Sequence, residues 1–121
     1  MSLGENCEYV NVMVHEIMHA VGFFHAHMRS DRDKYLKIHW ENIVPQAVDQ
    51  FIQLKPWEDE LHTEFDFDSI MLYGPRTFSA NWRVTLSSKI PGKRVPEFER
   101  KTGLSKLDIV AANKMYRCDK Q

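Results

Sequence analysis

No stretch of this 121-residue chain is apolar for long enough to cross a bilayer. Its most apolar run, YVNVMVHEIMHAVGFF from Tyr9 to Phe24, is broken by two histidines and a glutamate. Net charge is equally scarce. Sixteen Lys and Arg stand against seventeen Asp and Glu, leaving a formal charge of −1 and no field that would gather nucleic acid or an anionic membrane. Neither is expected as a partner. Cysteine is reduced to Cys7 and Cys118 near opposite ends; one disulfide is permitted without being required, and two buried free thiols are the bland alternative. The five glycines and five prolines are too dispersed to mark a linker, and there is no internal repeat or low-complexity segment. Met1 to Val14 lacks the basic start, apolar stretch and small-residue cleavage site of a secretory leader, so either the chain is cytosolic or its beginning lies outside these residues. What is present, 43% apolar and 27% charged residues, fits one globular domain over 1–121 with one core.

Apolar positions Val10, Val14, Met18 and Val21 recur at helical spacing and stop at Gly22, the residue type best suited to leave a helix in a left-handed conformation. The pattern predicts a helix from about Tyr9 to Val21. Residues 26 to 39 read as polar loop with a short strand at Tyr35 to Ile38. From Glu41 to Leu54, Ile43, Ala47, Val48 and Phe51 share one face of a short helix, with Pro45 in its first turn. Residues 55 to 68 and 74 to 101 read as surface loop with at most short strands. A last helix is predicted over Ser105 to Tyr116, with Ser105 as N-cap, Asp108 in the capping-box position, and Leu107, Val110, Ala111 and Met115 turned inward.

The chemistry concentrates in HEIMHAVGFFH, residues 15 to 25. His15 and His19, four apart, lie one turn apart on one helical face, where both imidazoles reach a single metal. Gly22 lets the chain turn back so that His25 supplies a third nitrogen. Three protein ligands leave a coordination position open, as catalytic zinc needs and structural zinc does not. Glu16, beside the first ligand and not itself bound, is placed to take a proton from a water whose pKa the metal lowers from 15.7 towards about 7. The eleven-residue pattern HExxHxxGxxH followed by a methionine turn belongs to metzincin metalloproteases.

HEIMHAVGFFHAHMRSDRD, followed by SIMLYG at residues 69 to 74, resembles the astacin family of zinc endopeptidases, whose pattern reads HExxHxxGFxHExxRxDRD and then SxMHY. The similarity continues through KIHWENI, FDFDSIM, TFSAN and LSKLDIVAANKMYRC, and so spans nearly the whole chain. The resemblance implies one zinc ion per chain held by His15, His19 and His25, with Glu16 as general base and a protein or peptide as substrate. It makes Met71 an apolar floor under the metal and Tyr73 a phenol donated to the zinc sphere that swings away to stabilise the tetrahedral oxyanion. Arg29, Asp31, Arg32 and Asp33 match its RxDRD; at least one buried ion pair or hydrogen bond is expected there, fixing the loop after His25. The implied fold is α+β, the C-terminal subdomain of a metzincin-like zinc protease, mainly helices and loops with few short strands.

Three departures accompany the match. Ala26 stands where the family has a glutamate that helps receive the mature amino terminus, and Leu72 stands where it has a histidine that is not a ligand. The family's first half, a sheet above the zinc helix, has no counterpart in these residues. The chain is therefore expected to be a partial astacin-like peptidase domain of a secreted, extracellular protein, or a short isoform of one. Its partner would be the missing N-terminal half or another covering surface, because Val10, Val14, Met18 and Val21 would otherwise be partly uncovered. Cys7 and Cys118 match positions that each bond a cysteine in the missing half, so no bridge between them is expected. The leading function is peptide-bond hydrolysis by a metal-activated water. The alternative is a zinc-binding but inactive fragment acting as a binding module. Lys89, Lys93 or Arg94, in the stretch 87 to 101, would favour acidic substrate side chains if they reached the pocket; a solvated loop is the plainer expectation.

Overall fold

The computed structural model describes residue 5 and residues 9–118. Helix α1, Val10–Ala20, fits the predicted span within a residue at each end. It has no side-chain cap at its start, but its end is closed firmly. The Gly22 N–H donates to His19 O and the Phe23 N–H to Met18 O, both at 3.0 Å, the paired bonds of a Schellman motif, with Gly22 at φ +107°. Strand β1, Leu36–Ile38, pairs antiparallel with β2, Leu86–Ser88, in the register Leu36↔Ser88 and Ile38↔Leu86. A single bridge, Ile43↔Ser79, lies outside this ladder. The rest is loop and 3-10 turns up to α2, Lys106–Met115. This is the α+β architecture expected, rich in loop and poor in strand.

The core gathers under α1 and between the loops. Leu36, Phe51, Ile70, Leu72 and Leu86 are fully buried, with Met18 and Met71 beside them. The segment expected as a short helix is a 3-10 helix, Pro45–Phe51, with proline in its first turn. Ile43, Ala47 and Phe51 are buried as expected, whereas Val48 is 40% exposed. The space beneath that helix is filled by the Phe51 ring, which meets the rings of His27, Trp40 and Phe78.

In α2 the capping box forms as predicted: Ser105 Oγ accepts from the Asp108 N–H and the Asp108 carboxylate accepts from the Ser105 N–H. That same carboxylate also takes the Ser69 hydroxyl at 2.5 Å and the Ile70 N–H at 2.8 Å. These bonds turn Asp108 and Ala111 into the protein. Val110, two residues and roughly 200° further round the helix, is consequently 39% exposed and not inward. On α1, Met18 is covered, but Val10 is 62% and Ile17 50% exposed. Cys118 is exposed and free, so the buried-thiol reading fails for it; Cys7 lies outside the described residues. Among the described residues no helix is long and apolar enough to cross a membrane.

Candidate metal centre

The one-turn spacing of His15 and His19 and the chain reversal at Gly22 bring three Nε2 atoms together. They lie 3.1 Å (His15–His25), 3.1 Å (His15–His19) and 3.0 Å (His19–His25) apart. His15 Nδ1 donates to the Ile70 carbonyl at 2.7 Å and His19 Nδ1 to the Phe23 carbonyl at 2.8 Å. A carbonyl only accepts, so each of these rings carries a proton on Nδ1 and leaves Nε2 to turn its lone pair towards the common point. Burial pushes His15 below its ordinary value and His25 down to about 3, with neighbouring histidines adding to the fall in His25. These two rings are therefore neutral at physiological pH. Lone pairs facing one another this closely repel unless a cation sits among them. The spacing suits a Zn–N distance of about 2.0–2.1 Å, and among the described residues this is the group of three able to hold a metal.

Met71 and Ile70 belong to the turn that closes over these ligands. The Ala26 N–H, one residue after His25, donates to the Met71 carbonyl at 2.9 Å, and Met71 is 3% exposed. The turn is itself braced. Asp108 holds Ser69 and Ile70 as described, and Lys101 Nζ donates to the carbonyls of Ser69 and Leu72 at 2.8 and 2.7 Å. Burial pushes the Lys101 ammonium down to about 8 even though the carboxylates of Asp108, Asp66 and Asp68 oppose the shift. The chain of contacts thus runs from the N-terminus of α2 through Ile70 to His15, the kind of outer support that orients a ligand.

Glu16 and Tyr73 share with His15 a cavity of about 270 Å³ whose other walls include Val12, Gly74, Phe98 and Glu99. Burial, then the nearby Glu16, raises the Tyr73 phenol above its ordinary value, so it stays a hydrogen-bond donor. Its ring lies 4.3 Å from that of His25 and 4.4 Å from that of His27. Gly74 is tightly packed: a Cβ there would stand 3.3 Å from the Phe98 backbone nitrogen, which would have to give by a few tenths of an ångström. None of Lys89, Lys93 and Arg94 lines this cavity; Lys89 Nζ donates instead to the Asp33 carbonyl.

The RxDRD cluster supplies the expected anchor. Arg32 is 4% exposed, donates to the carbonyls of His27 and Phe51 and pairs with the largely solvated Asp33. Arg29 grips Asp31 bidentately at 2.8 and 2.9 Å. Two contributors escaped the sequence reading. Asp108 was legible only as a capping residue, and nothing but its place two residues after His25 singled out His27.

Comparison with known proteins gives one consistent result. Residues 1–117 match the family described as Astacin, a peptidase family. The chain is 40% identical over 98% of its length to zinc metalloproteinase nas-13 of Caenorhabditis elegans, covering 26% of that protein. It is 43% identical to astacin-like metalloprotease toxin 1 of Loxosceles intermedia, covering 46% of it. Among solved structures it superposes on high choriolytic enzyme 1, a hatching enzyme zinc-protease from Oryzias latipes, with a TM-score of 0.85 at 39% identity. That alignment covers 97% of this chain and 57% of the other. The chain therefore spans less than half the length of these two curated relatives.

Proposed function

The chain belongs to the astacin family of peptidases, and from that membership we propose that it carries the lower half of a metzincin zinc endopeptidase site that hydrolyses peptide bonds. His15, His19 and His25 would hold one zinc ion. Once bound, zinc supplies Lewis acidity, polarising a carbonyl and bringing the pKa of water down towards about 7. Glu16, on the same cavity wall as His15, takes the water's proton and later delivers it to the leaving amine. Tyr73, kept protonated, donates to the oxygen on which negative charge develops. The observation that carries this reading is the convergence of three Nε2 atoms within 3.1 Å beside a cavity bearing an unliganded carboxylate and a phenol. A purely structural site has no use for the last two groups. The substrate is a protein or peptide and the setting extracellular, both by family.

One observation favours a second reading, a metal-binding but inactive module. Val10 and Ile17 of α1 are open to solvent. A paired measurement separates the two: zinc per molecule of purified chain, then cleavage of casein, with Glu16→Gln as control. Zinc near one per chain, cleavage, and its loss in Glu16→Gln are the expected results. Zinc without cleavage would establish the module, and no bound zinc would sink both.

A further inference from the structure

His27 is fully buried, yet packing alone gives no reason for an imidazole there. Its Nε2 donates to the Gln50 carbonyl at 2.7 Å, so Nδ1 is an unprotonated acceptor, and that atom is buried without a partner. An orphaned acceptor lowers stability relative to an apolar side chain of similar volume. What the ring does have is a neighbour on its face. Tyr73 stacks on it at 4.4 Å with 25° between the planes, while Phe51 and His25 lie 5.2 and 5.3 Å away.

Tyr73 needs such a neighbour. Among the described residues its hydroxyl has no hydrogen-bond partner, so the direction of the phenol is fixed by how its ring packs. Its ring contacts are His25, His27, Phe78 at 5.7 Å and 75° and, further off at 6.5 Å, His15. Phe78 is 41% exposed, and His15 and His25 both belong to the triad. His27 is held at both ends, its side chain by Gln50 O and its carbonyl by Arg32 Nη1 at 3.0 Å. Arg32 also grips the Phe51 carbonyl, which ties His27 to the 3-10 helix Pro45–Phe51.

We propose that His27 is the positioning residue for Tyr73, a backbone-anchored imidazole whose face holds the phenol beside the histidine triad. The proposal rests on the reading of Tyr73 as a donor at that site, but its test does not require catalysis. The probe is the zinc-loaded chain carrying 13C-labelled tyrosine, followed by NMR. In the unaltered chain the Tyr73 ring signals are expected upfield of free tyrosine, with slow ring flipping. His27→Leu fills the volume without a π face, and His27→Gln keeps an N–H for Gln50 O but is not aromatic. In both, the upfield shift should shrink, leaving the part due to the His25 ring, and flipping should quicken by about tenfold or more. His27→Phe should restore both signatures. Zinc affinity should change by no more than about threefold throughout, short of the roughly 10–100-fold lost when a ligand's own partner is removed.

Tyr73 signals that match free tyrosine in the unaltered chain, or that are the same with leucine as with histidine, would overturn the proposal. So would a zinc affinity that collapses in His27→Gln, because His27 would then support the ligands and not the phenol. A chain with Tyr73 held in this way but no peptide cleavage would count against the catalytic reading and leave the placement standing.

Discussion

Gly22 sits at φ +107° between the second and third histidines, and there the constraint is backbone geometry and not space. A Cβ would meet nothing closer than Met115 Sδ at 3.8 Å, but an L side chain in the left-handed region costs about 1–2 kcal/mol. Gly22→Ala should therefore lower the urea-unfolding free energy by that amount. It should weaken zinc binding as well, because the turn that presents His25 would be strained. The histidines themselves set an acid limit. In the folded chain His15, His25 and His27 all take protons less readily than in the unfolded chain, His25 only near pH 3 and His27 near pH 4. As pH falls below the ordinary 6.5, the unfolded state binds protons that the folded state refuses, so stability is full above that value and declines below it. Urea melts of the metal-free chain should show this loss between pH 7 and 5, above the usual carboxylate range.

At the scale of the element, α2 is more than a cover for the core. Asp108 satisfies three donors at once, the N–H groups of Ser105 and Ile70 and the Ser69 hydroxyl. Asp108→Ala would leave all three unpaired. The expected loss is about 2–4 kcal/mol in chemical denaturation, with zinc affinity down roughly tenfold because the Ile70 carbonyl that orients His15 loses its brace. Both helices were legible in the sequence because each carries local signals: Gly22 for the end of α1, Ser105 and Asp108 for the start of α2. Which way α2 faces was not legible. The apolar count favoured Val110, and the deciding force was a carboxylate bonded to residues 38 and 39 positions away in the chain. The three histidines that converge were equally local and readable. The packing of His27 beneath Tyr73, which depends on Gln50 and Arg32 meeting in space, left no such trace.

Over the whole molecule, α1 leaves an apolar stripe open to solvent. Val10 and Ile17, seven residues apart, lie on one face and are 62% and 50% exposed. Replacing both with glutamine should leave the melting temperature nearly unchanged, since little burial is lost. Light scattering at high protein concentration should fall if this stripe drives self-association. The metal site and its supports also differ in reach along the chain. His15, His19 and His25 lie within eleven residues, whereas the contact from His15 to Ile70 spans 55 and β1 must find β2 across a comparable distance. Loop-closure entropy delays long-range pairings relative to local ones. A refolding chain would thus wind the histidine-bearing helix and its turn early and dock the methionine turn late, so that a metal ion present during refolding would meet three clustered histidines before there is a core around them.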